Sequence, residues 1–162
     1  MSPTSTATTD ETRWLDRRQQ GAWRSFLGGS TVLMDCLDRD LRTEHDLSMA
    51  EYEILVRLSE SSERTLRMAE LASMVAHSRS RVTHTVARLE RVGILHRQPC
   101  KDDGRGVEAV LTDHGFSVLE QASHTHVAGV RKYLVDRATP DELDAIGRVM
   151  ERIVTDLEGN RF

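Results

Sequence analysis

From Ser78 to Leu89 the chain reads Ser-Arg-Ser-Arg-Val-Thr-His-Thr-Val-Ala-Arg-Leu, and no carboxylate appears before Glu90. An arginine presents a planar fork of donors that fits guanine O6 and N7, or a phosphate. Serine, threonine and histidine reach base edges or backbone oxygens. Hydroxyl side chains at a helix start also let an anion approach the positive end of the helix dipole. Ser78, Arg79, Ser80, Arg81, Thr83, His84 and Arg88 are therefore candidates for contact with an anionic, hydrogen-bonding polymer. A surface helix with ordinary polar cover would not explain the missing acids. Charge along the chain agrees. Arg64 to Arg105 holds nine basic residues against four acids, a net +5, whereas the whole chain carries −4 and the remainder therefore −9. A basic block in an acidic frame is the footprint of a local phosphate-binding surface, although a solvated face would account for the charge taken alone.

Other chemistries find less support. There is no Gly-rich phosphate loop, nucleophile elbow or pair of carboxylates, which argues against an enzyme. His124 and His126 stand two apart, so on a helix they point about 200° apart and share an ion poorly. Neither a metal site nor a cofactor is expected. Cys36 and Cys100 are too few and too distant for a disulfide framework, so a reducing cytoplasm is the expected setting. Cys36 lies between Asp35 and Asp38, neighbours that disfavour a thiolate, and it reads first as a small buried hydrophobe. Cys100 falls at a hairpin, a place open to solvent, with only Lys101 nearby to activate it.

The elements that must position these groups are legible in the periodicity. Hydrophobic residues make up 38% of 162 residues, enough for one core, and no apolar run nears the roughly 18 residues of a membrane helix. Residues 1–12 lack the basic and apolar regions of a secretory signal and read as a flexible arm. A helix from near Trp14 carries Trp23, Leu27, Met34, Leu37 and Leu41 on one stripe, with Gly28-Gly29 placed to loosen it. Ser48 to Glu51 is a capping box for a second helix through Tyr52, Leu55 and Leu58. Leu66-Arg67 is a brief extended piece, and Met68 to Val75 forms a short helix. After a tight connection at Ala76-His77, a helix over 78–92 buries Val82, Val86, Leu89 and Val92 and ends at Gly93. Two short strands, 95–98 and 107–111, flank a polar hairpin tip. Thr112 caps a helix with Phe116, Leu119, Ser123, Val127, Val130 and Leu134 along one side. Thr139-Pro140-Asp141-Glu142 opens a last helix whose Leu143, Ile146, Met150, Ile153 and Leu157 form a narrow seam. The fold class is mainly α with a small β-hairpin wing. Two helices joined by a tight turn and followed by a hairpin form a winged helix-turn-helix.

At this point the chain resembles the MarR family of bacterial regulators. The likeness rests on Leu-Ala-Ser-Met (71–74), Ser-Arg-Ser-Arg-Val-Thr-His (78–84) and Leu89-Glu-Arg-Val-Gly-Ile-Leu95. It rests most on Asp103-Gly-Arg105, followed by Leu111-Thr112-Asp-His-Gly115. Gly104 stands where the family's wing commonly has a further Arg. The resemblance covers residues 14–160 and implies a single domain over 13–162. Within it, 46–112 would be the DNA-binding lobe, and 13–45 and 113–160 the helices of a homodimer. It also implies a partner in double-stranded DNA, with Arg105 entering the minor groove at the wing tip and Asp103 holding it by an ion pair. A narrow minor groove concentrates negative potential, so the physics agrees. Family members often bind small aromatic acids or phenols, which makes Trp23, Arg24, His45 and Tyr52 candidates for a ligand crevice. Packing at a dimer interface explains the same aromatics equally well. The expected function is a cytoplasmic, dimeric repressor on a pseudo-palindromic operator, with release by a small aromatic ligand left open. Two alternatives stand beside it: a winged helix that grips another protein, and a thiol-based redox sensor using Cys36.

Overall fold

Helices begin and end where side chains can satisfy the orphan backbone groups of a terminal turn. The computed structural model describes residues 12–75, 79–100 and 106–158, without the side chains of Arg79 and Glu158. The expected arm over 1–12 thus lies outside the described residues except for Thr12. Helix α1 spans Arg17–His45. It starts three residues later than its apolar pattern suggests, because Asp16 caps it. The Asp16 carboxylate accepts from the Gln19 N–H at 2.8 Å, and the Gln19 side chain accepts from the Asp16 N–H at 3.0 Å. The helix runs unbroken through Gly28-Gly29, so the expected loosening there is absent.

Two compact units divide the chain, residues 1–32 and 33–162. In the first, Trp23 and Phe26 stack with ring centroids 5.9 Å apart, and Trp14 is 83% exposed. The second contains the end of α1 and every later element. Helix α2 (Met49–Glu60) carries the expected capping box at Ser48 and Glu51. Strand β1 (Thr65–Arg67), helix α3 (Met68–Met74) and helix α4 (Arg79–Arg91) follow. Strands β2 (Leu95–Pro99) and β3 (Val107–Leu111) form the hairpin. Helices α5 (Asp113–Tyr133) and α6 (Pro140–Glu158) complete the chain, separated by a 3-10 turn at Val135–Arg137.

The sheet has three antiparallel strands in the order β1-β3-β2, with Leu66 opposite Ala109 and Arg97 opposite the same residue from the other side. The brief extended piece at 65–67 is thus a full partner of the wing. A single core joins Leu41 of α1, Ile54, Leu55 and Leu58 of α2, Leu71 of α3, Val82, Val86 and Leu89 of α4, and Leu119 and Ala122 of α5.

Two glycines fix how α4, the wing and α5 meet. Gly93 has φ +74°, a left-handed conformation that side chains rarely adopt. Its N–H bonds Glu90 O, and the next N–H bonds Leu89 O, which closes α4 in a Schellman motif. Gly115 lies one turn into α5, where an added Cβ would sit 2.0 Å from Ile94 O. That carbonyl accepts from Thr112 N (3.1 Å) and Thr112 Oγ1 (2.9 Å), while the same hydroxyl oxygen accepts from Gly115 N (2.9 Å). Thr112 therefore caps α5 and ties it to the end of α4 at once.

Along α5 the buried line runs through Leu119, Ala122 and Gly129. Gly129 faces Leu37 of α1, whose Cδ2 would lie 2.9 Å from an added Cβ. Val127, expected on the inner side, is exposed. Helix α6 opens with the expected cap: Thr139 N and Oγ1 both donate to Glu142, at 2.8 and 2.9 Å. Its row Ile146, Ile153 and Leu157 stays open in the single chain, with Ile153 44% exposed. Among the described residues, no helix is long and apolar enough to cross a membrane.

Candidate nucleic-acid interface

Successive residues of α4 are offset by about 100° around its axis, which sorts them into an inner strip, an outer strip and two flanks. Val82, Val86 and Leu89 point into the core, each at most 1% exposed, whereas Val92, expected on the same face, is exposed because the helix ends at Arg91, before it. Opposite them, Ser80, His84 and Arg91 are exposed. Arg81, Thr85 and Arg88 form one flank, and Thr83 stands exposed on the other. The inner strip anchors the helix, so the outer strip and the two flanks are what it can offer to a groove. Arg91 also belongs to the outer strip, although it falls outside the acid-free run that ends at Leu89. Its position eleven residues after Ser80 and seven after His84, about three and two turns along the same strip, is the signal that finds it.

Basic residues in the 64–105 block do not all face solvent as free charges. Arg64 bonds Asp113 at 3.1 Å and lies 3.9 Å over the Phe116 ring. Arg97 donates through its backbone N–H and its guanidinium to Glu90, at 2.8 Å each. These hydrogen bonds from Arg97 hold the Glu90 carboxyl below the usual carboxylate range. Arg88 donates to Glu51 Oε1 at 2.5 Å and to both the carbonyl and the carboxylate of Asp46, at 3.0 and 2.9 Å. Net charge by sequence segment thus overstates the available positive surface.

Of the expected DNA-contacting residues, Ser80, Arg81, Thr83 and His84 share the first turns of α4 and are exposed. Arg81 and Thr85 also border a cleft of about 470 Å³ with Asp35, Asp38 and Glu53. Arg88 sits two turns beyond Arg81 on the same flank, engaged as above. Ser78, Asp103 and Arg105 lie outside the described residues, as does the side chain of Arg79. At the hairpin base, Cys100 N bonds Gly106 O at 3.0 Å, and Gln98 Nε2 donates to Glu108 at 2.7 Å. Cys100 is 5% exposed, so its thiol is not the open group its place in the sequence suggested. Cys36 is partly buried on α1, and Arg39 donates to its Sγ at 3.4 Å.

Residues considered for a ligand crevice fall into two sets. Trp23 and Arg24 line a depression of about 420 Å³ in the first unit, with Arg13, Trp14 and Leu15. In the second unit His45 shares a 2.8 Å hydrogen bond with Thr125 of α5. Tyr52 packs its ring on His126, centroids 4.6 Å apart. Burial pushes the Tyr52 phenol up and the His126 imidazole down, and His126 Nδ1 is buried without a partner among the described residues. No group of three potential metal ligands occurs among the described residues.

Comparison with known proteins places this geometry. A family model described as the MarR family matches residues 47–107. The HTH-type transcriptional regulator PecS of Dickeya dadantii is 27% identical over 132 residues, 81% of this chain and 79% of PecS. Sco3205 of Streptomyces coelicolor, a MarR family transcriptional regulator solved in complex with DNA, is 42% identical. It superposes with a TM-score of 0.87 over 91% of this chain and 92% of its own. AbsC, a MarR family transcriptional regulator of the same organism, is 38% identical with a TM-score of 0.85, over 91% of this chain and 99% of AbsC.

Proposed function

Because the chain belongs to the MarR family and is a DNA-binding transcriptional regulator, we propose that it works as a homodimeric repressor on a pseudo-palindromic operator in the cytoplasm. The observation that supports this reading most is the exposed strip of α4. Ser80, His84 and Arg91, flanked by Arg81 and Thr83, stand opposite a fully buried anchor strip and beside a β-hairpin. A helix so mounted can enter a major groove, and a hairpin at its end reaches the adjacent backbone or minor groove.

In this proposal Ser78, Arg79, Ser80, Arg81, Thr83 and His84 read bases and phosphates. Arg105, oriented by Asp103, is placed by resemblance at the wing tip. Dimerisation is supported by the open apolar row of α6 and by the exposed aromatics of α1. A pair of recognition helices then meets successive major grooves about 34–36 Å apart. The depression holding Trp14, Trp23, Arg13 and Arg24 offers indole faces and guanidinium groups, a chemistry that suits a small aromatic acid as effector.

Light scattering after size exclusion, combined with anisotropy titrations on duplexes enriched from a random pool, tests the reading. A dimer that prefers an enriched inverted repeat is the expected result. A monomer, or equal affinity for enriched and scrambled duplexes, refutes it.

A further inference from the structure

Glu51 is the one charged residue among the described residues that is fully buried, at 4% exposed, and both of its carboxylate oxygens are engaged. Oε2 accepts from Ser48 N and Ser48 Oγ, each at 2.8 Å, which closes the cap of α2. Oε1 accepts from Arg88 of α4 at 2.5 Å. The other end of the same guanidinium grips Asp46 through both carbonyl and carboxylate, at the junction between α1 and α2. Asp46 itself is held in a left-handed conformation, φ 53°, while its N–H still bonds Arg42 O at 3.1 Å. Asp38 of α1 accepts from Met49 N at 2.8 Å, so the start of α2 is pinned from that side too. One arginine of α4 is thus fastened to the place where α1 hands over to α2.

We propose that Glu51 and Arg88 are positioning residues that set the roll of α4 about its own axis and so determine sequence discrimination. The inference rests on α4 entering the major groove. Contacts of Val82, Val86 and Leu89 with the core are apolar and non-directional, and they permit a helix to rock about its buried strip. Directional ties on the two flanks prevent it. Glu90, bonded to Arg97, lies about 200° around the helix from Arg88, so the two ties oppose each other. Arg81 is seven residues from Arg88, about two turns along the same flank, and inherits its direction from that tie. Bidentate base contacts need that direction held, whereas phosphate contacts tolerate small rotations.

The test uses the full chain, a duplex enriched by the wild type from a random pool, and its scrambled version. Glu51→Gln keeps an oxygen for the Ser48 cap but turns an amide NH₂ toward Arg88, breaking the tie at constant shape. Arg88→Met removes the guanidinium and keeps the stem, and Arg88→Lys restores charge without the fork. Glu51→Gln and Arg88→Met should each lower the ratio of enriched to scrambled affinity by about tenfold or more. For Glu51→Gln, affinity for the scrambled duplex and the slope of log affinity against log salt should stay at wild-type values. The double variant should be no worse than the worse single, since the two act as a unit, and Arg88→Lys should recover part of the ratio. Unfolding midpoints taken in parallel ensure that every variant is assayed folded. An unchanged ratio in both single variants overturns the proposal. So does a flattened salt slope in Arg88→Met with equal losses on both duplexes, which would make Arg88 a phosphate contact. A wild type with no preference between the duplexes refutes the operator reading itself, and is told apart because it appears before any substitution is made.

Discussion

Gly115→Ala should unfold the junction of α4, wing and α5 although it adds only a methyl group. The new Cβ would meet Ile94 O at 2.0 Å, Leu111 Cδ1 at 2.8 Å and Ile94 C at 2.9 Å. Two of those three atoms are backbone, so relief requires moving the chain that follows Gly93. Ile94 O is also the acceptor for Thr112 N and Oγ1, so that movement opens the cap of α5. Overpacking of this kind costs about 1–3 kcal/mol, and a lost threonine cap about 1 more. Replacing glycine by alanine inside a helix returns about 1 kcal/mol. The net effect is on the order of 2 kcal/mol of destabilisation, or roughly 4–8 °C in the unfolding midpoint. Gly21→Ala is the matched control, because nothing lies within 4 Å of its added Cβ. It should leave the midpoint unchanged or raise it slightly. Thermal melts by circular dichroism at one fixed protomer concentration provide the assay. A Gly115→Ala midpoint at or above that of the wild type would refute the reasoning.

Ile153→Asp places an unpaired carboxylate on the apolar row of α6, and breaking an interface in this way costs several kcal/mol. Sedimentation at micromolar concentration should show monomer or unfolded chain, and an intact dimer would remove α6 from the interface. His126 is held below the ordinary histidine range by burial, so the unfolded chain takes up its proton first as the pH falls. Stability should therefore decline as pH drops below about 6.5 and level off below the folded value. His126→Phe keeps the ring against Tyr52 and should reduce that slope in denaturant titrations across pH 4–8, and an unchanged slope would contradict the assignment. Arg81→Ala should lose about 1–3 kcal/mol on an enriched duplex, mainly as discrimination. Arg105→Ala should weaken enriched and scrambled duplexes alike and flatten the salt slope by about two counterions per dimer. Reversed outcomes for these two variants would mean that helix and wing have exchanged roles.

What the sequence disclosed was mostly local. Ser48 with Glu51, Thr139 with Glu142 and the stop at Gly93 are short-range devices whose partners lie within five residues, and each appears in the fold as read. The buried strip of α4 was legible because three β-branched or leucine side chains repeat at helical spacing. Contacts that join distant segments were not. Thr65–Arg67 is too short to show an alternation, and its pairing with β3 spans more than forty residues. Ala122 and Gly129 carry no hydrophobic signal, so the apolar spacing runs through Val127, which is exposed, instead. The tie between Glu51 and Arg88 bridges 37 positions, and nothing in either neighbourhood announces that the capping glutamate also faces α4. Leu-Thr-x-x-Gly was recognisable as a pattern, but its cause, the approach of Gly115 to Ile94 O, needs the fold.

The most direct test of the central claim is the dependence of affinity on half-site spacing. The wild-type protein should be titrated, at one salt concentration, on an inverted repeat with half-site centres 10–10.5 base pairs apart and on the same repeat widened by half a helical turn. A dimer presenting two α4 helices to one face of the duplex should bind the widened repeat at least about a hundredfold more weakly, since each lost half-site contact is worth 1–3 kcal/mol. Equal affinity for the two duplexes would contradict the account.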